Sequence, residues 1–229
     1  MRRWMRKADV LDIRIKTMND ELSCRPSAKI LAVTCPVSDT SFGNAEGLIE
    51  FAGRLCYDSV SKFGNDSNWI EKRIRQGHES ILEHASASFL ITCSRAVSHE
   101  LVRHRLASFS QRSQRYVKED HFEYYIPKEI ESLYPFRDYE ELIHAIQIVY
   151  DDLLKRGLKK EIARYVLPNA CMTELVMTMN FRELRHFINM RNNNKAMSEM
   201  RDIANQVFKI CCSIAPNVFE DIKSNKEDI

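Results

Sequence analysis

Fourteen residues near the middle of the chain, 103–116, hold four arginines, one histidine, three serines and two glutamines, and no acid. Crowding like charges in this way gives folding nothing, because each uncompensated pair costs energy unless an anion sits among them. Arginine grips phosphate through a planar, two-pronged fork, and serine and glutamine add neutral hydrogen bonds around it. The chemistry this points to is recognition of a phosphate-bearing ligand by Arg103, Arg105, Arg112 and Arg115. On residue types alone two readings stand side by side. One is a site for a nucleotide-like small molecule; the other is a basic loop that contacts RNA, with Phe109 and Tyr116 as stacking faces.

Other segments add to this inventory. Arg164 lies among apolar residues near a helix end in KEIARYVLP, 160–168. Arg182, His186 and Asn189 recur at i, i+4 and i+7, opposite Leu184, Phe187 and Ile188, and Arg191 closes the stripe. Such a stripe is also what a solvated helix face looks like. Around 76–84, His78, Glu79, Glu83 and His84 crowd together, but the spacing is not HExxH and no third ligand group is nearby, so no metal is expected. The six glycines are scattered, with neither GxGxxG nor a Walker loop, so arginine must meet the phosphates of any bound nucleotide. Ser113 has no G-x-S-x-G elbow and no nearby Asp, and reads more simply as a phosphate ligand than as a nucleophile. Cys93 and Cys171 have no nucleophile motif and read as structural.

The chain that must position these groups has 229 residues, 44% apolar and 29% charged, enough for one substantial core. A net charge of +2 gives no general polyanion field, so positive charge matters only where it is concentrated. There is no apolar run long enough for a membrane span, and no signal-peptide h-region follows the basic start. Seven cysteines without a CxxC pair fit reduced thiols in the cytoplasm, with Cys211 as core filling.

Residues 1–27 read as an N-terminal extension, 28–222 as one catalytic α+β domain and 223–229 as a polar tail. A strand is expected over 29–34, then a helix over 44–60 with Leu48, Phe51, Ala52, Leu55 and Cys56 at helical spacing, and a second helix over 67–76 closed by Gly77. A strand over 85–93 leads to Ser94 as the cap of a helix over 95–102; most of 103–116 lacks an apolar period and reads as an ordered loop. Helices follow over 138–156 and 159–167, separated by Gly157 and stopped by Pro168, and 172–179 leans to a strand. Asn180 and Glu183 have the form of a capping box for a helix ending near 192–194. The last long helix, 196–213, carries Met200, Ile203, Ala204, Val207, Phe208 and Cys211 on one stripe. The fold class is α+β, helix-rich with a small, mostly antiparallel sheet.

Taken together, these segments resemble the flavin-dependent thymidylate synthases. Arg103-His104-Arg105, seven residues and Ser113 match that family's RHR-x7-S signature, and SQRSQRY at 110–116 extends the match. FAGRLCY at 51–57, GHESILEH at 77–84, YIP at 125–127, ARYVLP at 163–168 and NFR at 180–182, leading to Arg191, fall in the family's order and spacing. The resemblance covers about 29–220 and implies a homotetramer with FAD and dUMP bound where subunits meet. It places Glu100, Gln111, Arg112, Ser113, Gln114 and Arg115 at dUMP, with Arg115 on the phosphate, Arg164 reaching in from a neighbouring subunit and Arg191 holding the pyrimidine. It places Ser80, Glu83, Arg103, His104, Arg105, Asn180, Arg182 and His186 at FAD, and His78 near the folate side.

The implied reaction is reductive methylation of dUMP to dTMP, with methylenetetrahydrofolate as one-carbon donor and FAD, reduced by NADPH, as hydride source. Arg191 and Ser113 are the catalytic positions, and neither nucleic acid nor membrane is an expected partner. A non-catalytic RNA- or nucleotide-binding module built on 103–116 is the alternative. The sequence departs from the pattern at Gln111, where some members carry Glu, and at Lys195, where His is usual.

Overall fold

The computed structural model describes residues 24–37, 42–133 and 137–222. Most of the expected extension and the whole tail lie outside the described residues. Four strands form one antiparallel sheet: β1 (Ser27–Val33), β2 (Ser86–Ser94), β3 (Ala107–Gln111) and β4 (Met172–Asn180), in the order β1-β2-β4-β3. β2 and β4 are the central pair, in register from Ser86 opposite Asn180 to Ser94 opposite Met172. Along most of both strands buried residues alternate with more open ones, as period-2 side-chain placement requires. Helix-rich α+β architecture is borne out, and every strand pairing is antiparallel.

Nine α-helices accompany the sheet among the described residues: α1 (Ala45–Leu55), α2 (Trp69–Arg75), α3 (Arg95–Leu101), α4 (Lys128–Glu131), α5 (Arg137–Lys155), α6 (Lys160–Ala163), α7 (Phe181–Arg191), α8 (Ser198–Ile214) and α9 (Pro216–Phe219). The core lies between the sheet and α7, α8 and α9, with Phe89, Met177, Phe181, Phe187, Val207 and Phe219 fully buried. Each such Phe contributes about 2–3 kcal/mol by leaving water. The expected stripe on α8 is in the core, with Cys211 fully buried and Phe208 half-buried at its margin. Gln206 on α8 also fixes the start of β1, accepting from Ala28 N (3.0 Å) and donating to the Pro26 carbonyl (3.1 Å). A smaller cluster of Phe122, Tyr124, Ile143 and Cys171 packs beneath α5.

Two expectations need adjustment. The central segment is mostly loop, as nine of its fourteen residues show, but β3 takes the other five and pairs Ala107 with Met179 through Gln111 with Leu175. β3 is a short edge strand whose serines face outward, so it carries only two apolar side chains to reveal it. The first helix stops at Leu55 rather than 60, and its buried face is Ala45, Ile49, Gly53 and Arg54, while Leu55 is 62% exposed. Small residues win there because Gly53 sits against the indole of Trp69, where a Cβ would overlap the ring. Arg54 and Arg73 stack on that indole at 5.1 and 5.4 Å.

Candidate active site

β2 ends at Ser94, whose side chain accepts from Val97 N (3.2 Å) and caps α3. Ser94 is held in turn by the buried carboxylate of Glu199, which accepts from its backbone N–H and its hydroxyl, both at 2.6 Å. α3 is therefore anchored at both the sheet and α8. Past its end, the His104 N–H donates to the Leu101 carbonyl (3.0 Å), turning the His104 ring inward against Phe187 with centroids 5.2 Å apart. α7 begins where β4 ends. Asn180 Oδ1 accepts from Glu183 N at 2.8 Å, so the predicted cap is present, but the Glu183 carboxylate turns to His104 instead of closing the box.

These two helices assemble one linked set of polar groups. Arg191, at the last position of α7, donates from Nε to His104 Nε2 (3.1 Å) and from Nη1 to Glu100 Oε2 (2.9 Å). His104 Nδ1 lies 3.4 Å from Glu183 Oε1, and both residues are buried. An arginine Nε always carries hydrogen, so His104 Nε2 must offer its lone pair and the imidazole proton must sit on Nδ1, facing the glutamate. Burial holds the His104 pKa below its ordinary value; Glu183 opposes this and the Arg191 charge reinforces it. His104 is neutral at neutral pH. His104, Glu183 and His186 bring ligand atoms within 4.8 Å of one another, yet the His104 lone pair is engaged by a guanidinium, whose charge opposes a cation there.

A second cluster gathers beside the start of α7. Ser80 and Glu83 lie on the 3-10 turn Glu79–His84, and Arg182 donates to Glu83 at 2.6 Å and lies 3.8 Å from Glu79. His78 follows Gly77, whose φ of +79° ends α2, and its ring meets Tyr57 edge-on at 6.5 Å. His186 is exposed on the same face of α7 as Arg182, with its ring 6.3 Å from that of His104. Ser80, Glu83, His104, Asn180, Arg182 and His186 are thus drawn around one helix from segments far apart in sequence.

The remaining positions extend from the end of β3. Gln111 donates to Ser98 Oγ (2.9 Å), tying β3 to α3, and buried Gln114 reaches Cys171 Sγ (3.7 Å). Ser113 Oγ accepts from Arg115 N (3.3 Å) and stabilises the turn that presents Arg115. Arg115 stacks over Tyr116 at 5.4 Å and lines a groove of about 490 Å³ with Lys118, Lys159 and Lys160. Arg112 is different: both ends of its fork meet the buried carboxylate of Glu119, at 3.3 and 3.4 Å. Arg103, Arg105, Arg115 and Arg164 have no carboxylate partner among the described residues. Another cavity of about 490 Å³, walled by Tyr125, Tyr139, Ile143 and Met197, is apolar and holds none of these residues.

Sequence reasoning missed the partners. Glu183 was visible only as a capping residue, and Glu119 and Ser98 carried no signal at all. Cys93 and Cys171 are poor nucleophiles, since burial pushes both thiols up to about 12.

Fold and site define a class of protein: an α+β chain in which arginines without carboxylate partners among the described residues come from separate segments, with no glycine-rich cradle. Within that class the chain belongs to the family described as thymidylate synthase complementing protein, whose model matches residues 38–217. It is 39% identical over 188 residues to a flavin-dependent thymidylate synthase of Geobacter sulfurreducens, covering 77% of this chain and 81% of the relative. It is 38% identical over 205 residues to one of Mycobacterium tuberculosis and 39% identical over 205 residues to one of Mycolicibacterium gilvum, each covering 80% of this chain and 82% of the relative. The resemblance read from the sequence is borne out.

Proposed function

We propose that this chain is a flavin-dependent thymidylate synthase, converting dUMP to dTMP with methylenetetrahydrofolate as one-carbon donor and NADPH as reductant. The family and its named relatives support this over an RNA-binding module. The observation that carries the reading is Arg191, a guanidinium held by His104 and Glu100, with Nη2 left without a hydrogen-bond partner among the described residues.

The described residues fit a flavin dinucleotide, whose two phosphates need cations. Arg103 and Arg105 lack carboxylate partners among the described residues, and the half-exposed Arg182 stands with Ser80, Glu83, Asn180 and His186. Bound there, FAD supplies the hydride that the methylene group needs to become a methyl. The residues of this chain do the rest. Arg115 binds the dUMP phosphate, with Gln111, Ser113 and Gln114 beside it and Arg164 contributed from a neighbouring subunit of a homotetramer. Arg191 holds the pyrimidine and stabilises charge developing on its carbonyl oxygens as C5 becomes nucleophilic. Holding two large ligands in register is a principal part of the catalysis, and His78 lies toward the folate. No protein nucleophile is required, which agrees with Ser113 being engaged by a backbone N–H. The protein acts in the cytoplasm; among the described residues no helix is long and apolar enough to cross a membrane.

The test is tritium release from 5-tritiated dUMP by purified protein, with and without FAD. Release that depends on FAD, from protein absorbing near about 375 and about 450 nm as oxidised flavins do, is the expected result. Colourless protein that takes up no FAD and releases no tritium sinks the assignment.

A further inference from the structure

We infer that His104 and Glu183 form a buried pair that positions Arg191 for catalysis, with the His104 imidazole serving as a hydrogen-bond acceptor for the arginine. This rests on the proposed role of Arg191 at the pyrimidine. Four observations carry it. His104 and Glu183 are 5% and 6% exposed, too enclosed to meet a ligand by their side chains. Both nitrogens of His104 are occupied from within the chain, one by Arg191 and one by Glu183. The bond to Arg191 uses Nε, the guanidinium nitrogen nearest the stem, and therefore fixes the plane in which Nη1 and Nη2 project. Glu100 holds Nη1, which leaves Nη2 with no hydrogen-bond partner among the described residues.

The pair needs a particular tautomer. Only an imidazole protonated on Nδ1 can accept from the arginine, and the Glu183 carboxylate facing Nδ1 selects that form. A carboxylate that orients a neutral histidine by its Nδ1 proton is a familiar device in catalytic triads. Here the histidine serves a guanidinium instead of a nucleophile. The groups facing His104 are Glu183, His186 and Arg191 on α7, with Glu100 on α3 reaching it through Arg191. Protonating His104 would set an N–H against the N–H of Arg191 and two positive charges against each other, and the arginine would leave its plane. Burial and Arg191 keep this from happening until pH falls below the ordinary histidine range.

The arrangement is read first without turnover, by nitrogen-15 NMR of the full-length protein labelled at histidine, with His104→Gln to assign the signal. His104 is expected as the neutral Nδ1–H tautomer at neutral pH; the Nε2–H tautomer overturns the inference. Kinetics on the holoenzyme follow. His104→Phe keeps the ring shape without an acceptor and should lose about 100-fold in kcat, with KM for dUMP and FAD occupancy little changed, because a misplaced group costs on this scale. His104→Gln can accept from Arg191 and donate to Glu183, and should recover at least about tenfold of that loss. Equal losses in the two variants, a kcat within about threefold of wild type for His104→Phe, or loss of FAD from it, each overturns the inference. Should His104→Phe fail to fold, Glu183→Gln decides: without the carboxylate that raises it, His104 protonates at lower pH, so the acidic limb of kcat shifts down. A limb that stays or shifts up overturns the inference. Wild-type protein that releases no tritium defeats the proposed function instead, and leaves the NMR result to judge the pair.

Discussion

Arg191→Lys separates what the charge of this residue does from what its shape does. Lysine keeps the positive charge on a stem of similar length but offers a single ammonium in place of a planar fork. In the native site the fork makes two directed bonds, to His104 Nε2 at 3.1 Å and Glu100 Oε2 at 2.9 Å, and still leaves Nη2 for a ligand. One ammonium cannot face three partners in those directions, so one charge-assisted hydrogen bond is lost, worth about 1.5–3 kcal/mol. If the lost bond is the one to the pyrimidine, kcat falls by about 10–150-fold, from the factor of ten per about 1.4 kcal/mol. Glu100 is 37% exposed at its side chain and water can replace its partner, so it adds little. His104 is buried and loses its donor; an unsatisfied group of that kind costs about 1–3 kcal/mol, or roughly 2–12 °C in a chain of this size. The assay is tritium release at saturating dUMP, with a thermal melt of the same preparation. A folded variant that keeps kcat within about threefold of wild type would refute the argument. So would a loss confined to KM, because Arg191 would then bind ground state and transition state alike.

Arg115→Ala should raise the Kd for dUMP by about 30-fold or more with no change in melting temperature, since Arg115 has no acidic partner among the described residues; calorimetric titration checks it, and an unchanged Kd removes Arg115 from the phosphate. Burial raises the Glu199 carboxyl above its ordinary value, so the folded chain holds its proton more tightly than the unfolded one, and stability falls as pH rises from the unfolded to the folded pKa. Glu199→Gln should flatten part of the decline in melting temperature as pH rises above the ordinary carboxylate range, and an unaltered slope would show that this carboxyl does not titrate there. Gly53→Ala should destabilise by about 1–3 kcal/mol through overpacking, because its Cβ would overlap the Trp69 ring that Arg54 and Arg73 also cover; denaturant unfolding with no shift in midpoint would show that the indole moves aside freely.

Local signals carried well from sequence to structure. The stripe on α8 and the caps at Ser94 and Asn180 depend on residues three or four apart, and those distances are fixed once a helix forms. What failed to carry depended on distant partners. β3 reads as loop because an edge strand with serines on its outer side needs little apolar pattern; its neighbour β4 supplies the order. α1 was oriented by its bulky residues, whereas the helix docks through Gly53, where the small volume admits an indole from α2. The candidate site divides in the same way. Its cations and its histidine were visible as residue types, but Glu183 and His104 lie 79 positions apart and their contact follows only from the packing of α7 against the turn after α3. Arg112 and Arg115 are alike in sequence context, and only the fold separates them: one is bound to buried Glu119, the other has no acid among the described residues.

Four of the arginines that lack an acidic partner among the described residues have a consequence for the life of the protein in a cell. Arg103, Arg105, Arg115 and Arg164 lie on segments that only folding sets in place, so a ligand that needs them binds the native chain and leaves the unfolded chain alone. Any such ligand stabilises by mass action, by about 2.7 kcal/mol when present at 100 times its Kd. A shift of that size changes the transiently unfolded fraction, the form that proteases remove, by about 100-fold. Abundance of this protein should therefore follow the supply of flavin and nucleotide without any dedicated regulator, each ligand acting as a preservative of the site it fills.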